Sequence, residues 1–356
     1  MITSMSLVRA IHFASCMLLL GGFVFRLVVA GPVFRHAEKD ARLAFDPLDK
    51  RLRNLATWSL AVSFVSGCFW LWLVAARVSG ANLISAVHPE ILGTLLGRTY
   101  FGRLWEVRLA IIAGFVALVF VRQQWGQFVK LLLAAALLAA LSLAGHAGAS
   151  IGEARWIQLA NDAFHLIAAG TWPAGLAPFA LFLAQALQAD QPDEMQVAAL
   201  VTRRFSSLSL VTVGTLAITG TVNGYFLVGT FHALVATVYG RLLLLKLGLF
   251  GAMVVIGAFN LLWLKPRTLV AAKSTALGKS SNLLRSLRRN VLTELSLGTI
   301  VIIVVGVLGV TPPAAHFEKP TGISIPHDGS RTSAAQRFKV LSPAFRSSLD
   351  PNTTTH

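Results

Sequence analysis

GHAGASIGEARWIQLANDAFHLIAAGTWPAGL, residues Gly145–Leu176, decides how this chain is read. It holds the end of one apolar segment, a short polar connection and the start of another apolar segment. Two histidines, an aspartate and a tryptophan are packed into it. The second segment runs on through Ala177–Leu187 without a charge, so Asp162 and His165 stand at or inside a membrane boundary. Ionisable groups there are costly and by default mark a function. Spacings of three and seven residues put Asp162, His165 and Trp172 on one helix face. Pro173 has no N–H to offer the carbonyl of Ala169, and Gly170 and Gly175 flank that point. The stretch therefore predicts a helix that bends just below a polar cluster.

Working outward, the whole chain agrees with a membrane reading. Its 356 residues are 55% hydrophobic and 13% charged, with mean hydropathy +0.68. Soluble domains carry about 25% charged residues, so an all-α, multi-span helix bundle in a lipid bilayer is expected. The net charge of +16 fits basic cytoplasmic loops. No Walker loop, zinc-finger spacing or basic–aromatic stripe is present, which argues against nucleic acid as a partner. Cys16 and Cys68, the two cysteines, each lie in an apolar segment and make no disulfide framework. The N-terminus has Arg9 but no small-x-small pattern after its apolar run, so it reads as an uncleaved first span.

Eight segments reach the length of about 20 residues that a span needs: about 7–30, 54–78, 103–121, 128–146, 157–187, 203–228, 239–263 and 291–311. Arg and Lys concentrate in the odd-numbered connections, above all in 35–53 and 265–289. The positive-inside rule then puts those loops in the cytoplasm and both termini outside. The domain expectation is one transmembrane unit over 1–313, followed by a mostly disordered Ser/Thr/Pro-rich external tail over 314–356. The connection 79–102 contains ILGTLLG, which suits a short helix at the outer surface.

On this map His36 alone falls in a cytoplasmic loop. His12, His146 and His165 fall in the outer ends of spans one, four and five, so the chemistry is expected at the outer face. There is also an internal repeat. Thr99-x-Phe101-Gly102-Arg103-Leu104-x-x-x-Arg108-Leu109 matches Thr237-x-Tyr239-Gly240-Arg241-Leu242-x-x-x-Lys246-Leu247 at an offset of 138. His12 with Gly22 matches His165 with Gly175, and Ser66-Gly67 matches Thr219-Gly220, both at an offset of 153. Repeat one would cover about 7–147 and repeat two about 157–313, as parallel four-helix copies about an axis along the membrane normal. The plain alternative is coincidence in a Leu/Gly-rich sequence. With duplication, His12 and His165 become mates at one depth, near a repeat interface of the kind that binds substrates in transporters.

The metal-site expectation gathers His12, His165, His146, Asp162 and Cys16. His12 and Cys16 are four apart and share a helix face. Imidazole suits copper, zinc, iron and nickel, whereas thiolate selects Cu(I). Asp162 is a direct ligand or orients an imidazole from behind. The plain alternatives are interfacial histidines bonded to carbonyls and a cysteine acting as a small hydrophobe. Trp172, Glu106, Arg108 and Lys246 are supporting candidates; the last three either form an ion-pair network or snorkel to the surface. Arg26 and Glu294 read as snorkelling or helix-terminus groups near the cytoplasmic side, and Asn223 and Asn260 as helix bridges. No catalytic triad, carboxylate pair or phosphate-cradling loop is present, so no enzyme is expected.

The residues together resemble the copper resistance protein D (CopD) family of bacterial inner-membrane proteins over roughly 7–313. The resemblance rests on Arg9-x-x-His12, Thr99-x-x-Gly102-x-x-Trp105-x-x-Arg108, Gly145-His146 and Asp162-x-x-His165 with Trp172. It continues through Tyr239-Gly240 with Lys246, Asn260, and Glu294 ahead of Thr311-Pro312-Pro313. Helix five departs from the family's Trp-x-Gly-Gly-Leu at Ala174. The resemblance implies movement of a copper ion, of either oxidation state, from periplasm toward cytoplasm, beside a periplasmic CopC-type copper-binding partner. Two rivals stay open. One is a haem-binding electron-transfer protein with histidine axial ligands; the other is a scaffold that docks a copper carrier without transporting.

Overall fold

The computed structural model describes residues 2–144, 154–188, 191–267 and 277–316. His146 and the tail beyond 316 lie outside the described residues, and among those described there is no β-strand. Helix α1 (Ile2–Val24) runs through a π-helical segment, Phe25–Ala30, into α2 (Gly31–His36). Then follow α3 (Lys39–Leu43), α4 (Asp46–Ser79), α5 (Pro89–Arg98), α6 (Tyr100–Ala117) and α7 (Gln124–Ala139). The second half has α8 (Ala154–Thr171), α9 (Leu176–Ala186), α10 (Pro192–Val228) and α11 (Phe231–Ala236). It ends with α12 (Val238–Phe259), a π-helical segment at Asn260–Leu264, and α13 (Leu277–Leu308).

Among the described residues seven helical segments are long and apolar enough to cross a membrane. α6 holds the remaining expected span; it is long enough but carries Arg103, Glu106 and Arg108. The connection between α4 and α6 forms α5, which contains ILGTLLG. The bundle's outside is apolar, with Trp58, Phe120, Val211 and Val255 all mostly exposed. Lipid tails cover such a surface at no hydrophobic cost; water does not.

The spans built on α1 and on α8–α9 are the two most enclosed. They meet at Gly21. A Cβ there would stand 2.8 Å from the Gly170 carbonyl oxygen and 2.9 Å from the Gly175 nitrogen, so only glycine allows this approach. One core cluster ties Leu19, Leu20 and Phe23 of α1 to Trp70, Trp105, Phe115 and Leu137. The other joins Phe25, Trp172, Phe179, Phe182, Phe205, Met253 and Leu287. Phe179 and Phe205 stack at 4.3 Å.

Two local expectations are corrected. The break between α8 and α9 falls at 172–175, but the Ala169 carbonyl is not orphaned, because Ala174 donates its N–H to it at 3.2 Å. A wider i+5 bond replaces the one Pro173 cannot make. Arg26 does not snorkel: its Nε pairs with Asp49 at 2.9 Å and its Nη1 donates to Gln127 at 3.1 Å. Arg53 bonds the same Asp49 carboxylate.

Candidate metal centre

His12 is 1% exposed and Cys16 is fully buried, one turn below it on α1. Ser66, on α4, donates its hydroxyl to the Val62 carbonyl at 2.6 Å. Its lone pair therefore accepts from His12 Nδ1–H at 3.0 Å, which leaves His12 Nε2 as the nitrogen with a free electron pair. That nitrogen lies 3.9 Å from Cys16 Sγ. Arg108 of α6, 1% exposed, closes the arrangement. Its Nη2 donates to His12 Nε2 at 2.5 Å and points at Cys16 Sγ from 3.7 Å, while Nη1 donates to the Leu137 carbonyl at 2.9 Å. Trp70 and Trp105 wall the imidazole at centroid distances of 5.5 and 6.2 Å. Gly67 makes room for them: a Cβ there would run into the Trp105 ring.

The second half builds a related cage. His165 Nδ1 donates to Thr219 Oγ1 at 2.8 Å, and Thr219 passes its own proton to the Thr215 carbonyl at 2.6 Å. Both histidine–hydroxyl bonds span 54 residues, and the two pairs are offset by 153. Asn161 donates to the Thr219 carbonyl at 3.0 Å and to Asn223 Oδ1 at 2.8 Å. Asn223 in turn donates to Asp162 at 3.3 Å. Lys246 of α12 stands within electrostatic reach of both Asp162 and His165. Thr99 and Thr237 accept from Gly102 N–H and Gly240 N–H at 2.9 and 3.0 Å, opening α6 and α12 alike. The cages differ at Cys16, matched by Ala169, at Trp105, matched by Leu243, and at one further pair. Arg9 sits over the Trp70 ring at 4.7 Å, where the 153-residue offset puts Asp162 and Asn223 in the second half.

With these cages in view, the comparisons with known proteins decide the family. A family model described as "Copper resistance protein D-like, N-terminal domain" matches residues 1–156. A second, "Copper resistance protein D", matches residues 199–308. The chain belongs to the copper resistance protein D family. It is 30% identical to "Copper resistance protein D" of Pseudomonas syringae pv. tomato over 86% of this chain and 96% of that one. It is 29% identical to "Copper transport protein CutJ" of Bacillus subtilis over 71% of this chain, but spans only 45% of that longer protein. It is 32% identical to "Inner membrane protein YebZ" of Escherichia coli over 73% of this chain and 83% of that one. No solved structure matches.

Of the expected ligands, His12 and Cys16 come together, whereas His165 and Asp162 stay within the second cage. Among the described residues no three His, Cys, Asp or Glu side chains converge on one metal position. Arg108 neither snorkels nor pairs with Glu106, which is exposed on another face of α6. Trp172 is buried one break below His165, against Phe250. Asn223 bridges two helices as expected, whereas Ser66, Thr219 and Asn161 were missed as partners of the cages. The equal spacing of His12 to Ser66 and His165 to Thr219 was the signal that could have found two of them.

Proposed function

We propose that this copper resistance protein D family member captures copper at the periplasmic side of the inner membrane and passes it toward the cytoplasm. His12 and Cys16 form the capturing pair, and His165 with Asp162 forms the counterpart in the second half. One observation carries this reading: a buried imidazole nitrogen and a buried thiol sulfur face each other across 3.9 Å. Metal bonds of about 2.0 Å to nitrogen and about 2.3 Å to sulfur bridge that gap at an angle of about 130°. A two-donor nitrogen–sulfur set suits Cu(I). Arg108 must swing out of the bite for the ion to enter. Copper displaces the thiol proton of Cys16, so a monovalent ion enters and a proton leaves at constant local charge.

The reading takes the two halves as copies with both termini outside, His146 as an added ligand from the outer end of span four, and a CopC-type protein as the donor. The equal 54-residue spacings of the two cages support the copies. The test is copper uptake into sealed vesicles holding the wild type, the His12→Ala/Cys16→Ser double variant, or His165→Ala. Uptake and bound copper should fall in the double variant while the protein stays folded. Unchanged copper stoichiometry there would defeat the assignment.

A further inference from the structure

The inner half of the second repeat holds a carboxyl group that the copper reading does not use. Glu294 of α13 is 2% exposed. It was expected to serve as a helix-terminus group. Instead Asn260 donates to its Oε1 at 2.7 Å, and Asn290 donates to Asn260 Oδ1 at 2.8 Å. Both amide donors of this relay point toward the carboxyl. Asn260 also opens the π-helical segment after α12, and such wide turns recur at functional positions.

Beside the carboxyl lies a cavity of about 120 Å³ between α9, α10, α12 and α13. Glu294 lines it, and Oε2 comes within 3.7 Å of where a Gly257 side chain would stand, as Trp172 does within 3.9 Å. The other described lining residues with polar side-chain atoms are Ser206, Ser209, Asn260 and Trp172. Both serines give their protons to carbonyls, of Thr202 and Phe205, at 2.9 Å. Their lone pairs remain to accept from water. With about 30 Å³ of liquid volume per molecule, several waters fit. The donor set is oxygen only, with no imidazole or sulfur, which turns away a soft metal ion.

Glu294 is the one titratable side chain among the cavity's lining residues. The described charged groups on the packed elements are Asp193, Glu194, Arg203 and Arg204 on α10, Arg241 and Lys246 on α12, Lys265 and Arg267 beyond Asn260, and Arg285, Arg288 and Arg289 on α13, none of which lines the cavity. Arg204 is turned to the Val28 carbonyl and Arg267 to the Trp263 ring. Lys246 on α12 is fourteen residues before Asn260, about 21 Å along the helix.

We propose that Glu294 is an intramembrane proton-binding site, exchanging its proton with the cytoplasmic side through water in this cavity. The proposal stands apart from copper binding, and its test needs no copper. Full-length protein in lipid nanodiscs would be followed by infrared difference spectroscopy between about pH 5 and about pH 9. Wild type should show a carboxylic C=O band that titrates in this range and moves in heavy water. Glu294→Gln, which keeps the acceptor for Asn260 and hence the fold, should lack that band. An apolar carbodiimide, which modifies protonated buried carboxyls, should label the Glu294 peptide less as pH rises. Identical spectra for wild type and Glu294→Gln, with the peptide unlabelled throughout, would make the group a fixed structural clamp and overturn the proposal. A band that follows sodium concentration instead of pH would overturn it in favour of an alkali cation.

Discussion

Replacing Arg108 with leucine gives the most discriminating result, because the copper reading requires an increase in affinity where a supporting residue would give a loss. The guanidinium Nη2 sits 2.5 Å from His12 Nε2 and 3.7 Å from Cys16 Sγ, inside the bite that the ion must occupy. Copper therefore binds only after a charged hydrogen bond has broken, and such bonds contribute about 1.5–3 kcal/mol. Leucine removes that competitor without bringing in a new ligand. At about 1.4 kcal/mol per tenfold, Cu(I) should bind about ten- to a hundredfold tighter in Arg108→Leu. The variant also strips the Leu137 carbonyl of its donor, so unfolding should come earlier by about 1–3 kcal/mol. The assay is competition for Cu(I) against a chromophoric chelator in mild detergent under reducing conditions, with thermal unfolding measured alongside. In a His12→Ala background the gain should vanish. A folded Arg108→Leu protein that binds Cu(I) equally or more weakly would refute the displaced-cation reasoning.

Three further outcomes are expected. Gly67→Ala pushes a methyl into the Trp105 ring and within 3.2 Å of His12 Cε1, whereas Gly220→Ala meets His165 Cε1 only at 3.6 Å; overpacking of about 1–3 kcal/mol should lower the unfolding temperature of the first variant alone, and equal shifts would contradict the cage geometry. Thr219→Val leaves His165 Nδ1–H without its acceptor and should reduce copper uptake less than His165→Ala does; an uptake rate equal to wild type in both would remove His165 from the route. Copper binding that releases the Cys16 proton should tighten as pH rises while the thiol is still protonated, and Cys16→Ser should flatten that dependence. A wild-type affinity independent of pH would show that the thiol does not ligate.

Much of the fold was legible because lipid imposes simple rules. Apolar length located the spans, and Pro173 with Gly170 and Gly175 marked where the helix breaks. The cages were only half legible. His12, Cys16 and Asp162 announce themselves as ionisable or metal-ligating groups in apolar segments. Ser66 and Thr219 do not, since a hydroxyl in a membrane helix usually bonds its own backbone, as both also do here. Arg108 was ambiguous for a related reason: a long cationic side chain reaches outward or inward with equal ease, and the Leu137 carbonyl that draws it in sits 29 residues away. Glu294 was misread because its partner Asn260 lies 34 residues earlier, on another helix.

If the halves are copies, as proposed, Arg9 over Trp70 in one and Asp162 with Asn223 in the other bear on how the bundle would acquire direction. Two identical wells would offer an arriving cation no reason to prefer either. On the proposed copper route one well is fenced by two guanidinium groups, while the other sets a carboxylate beside Lys246, so the energy profile tilts across the bundle. Such a tilt belongs to the side chains at 9 and 162, not to the backbone. Exchanging them would reverse the slope while leaving the architecture in place.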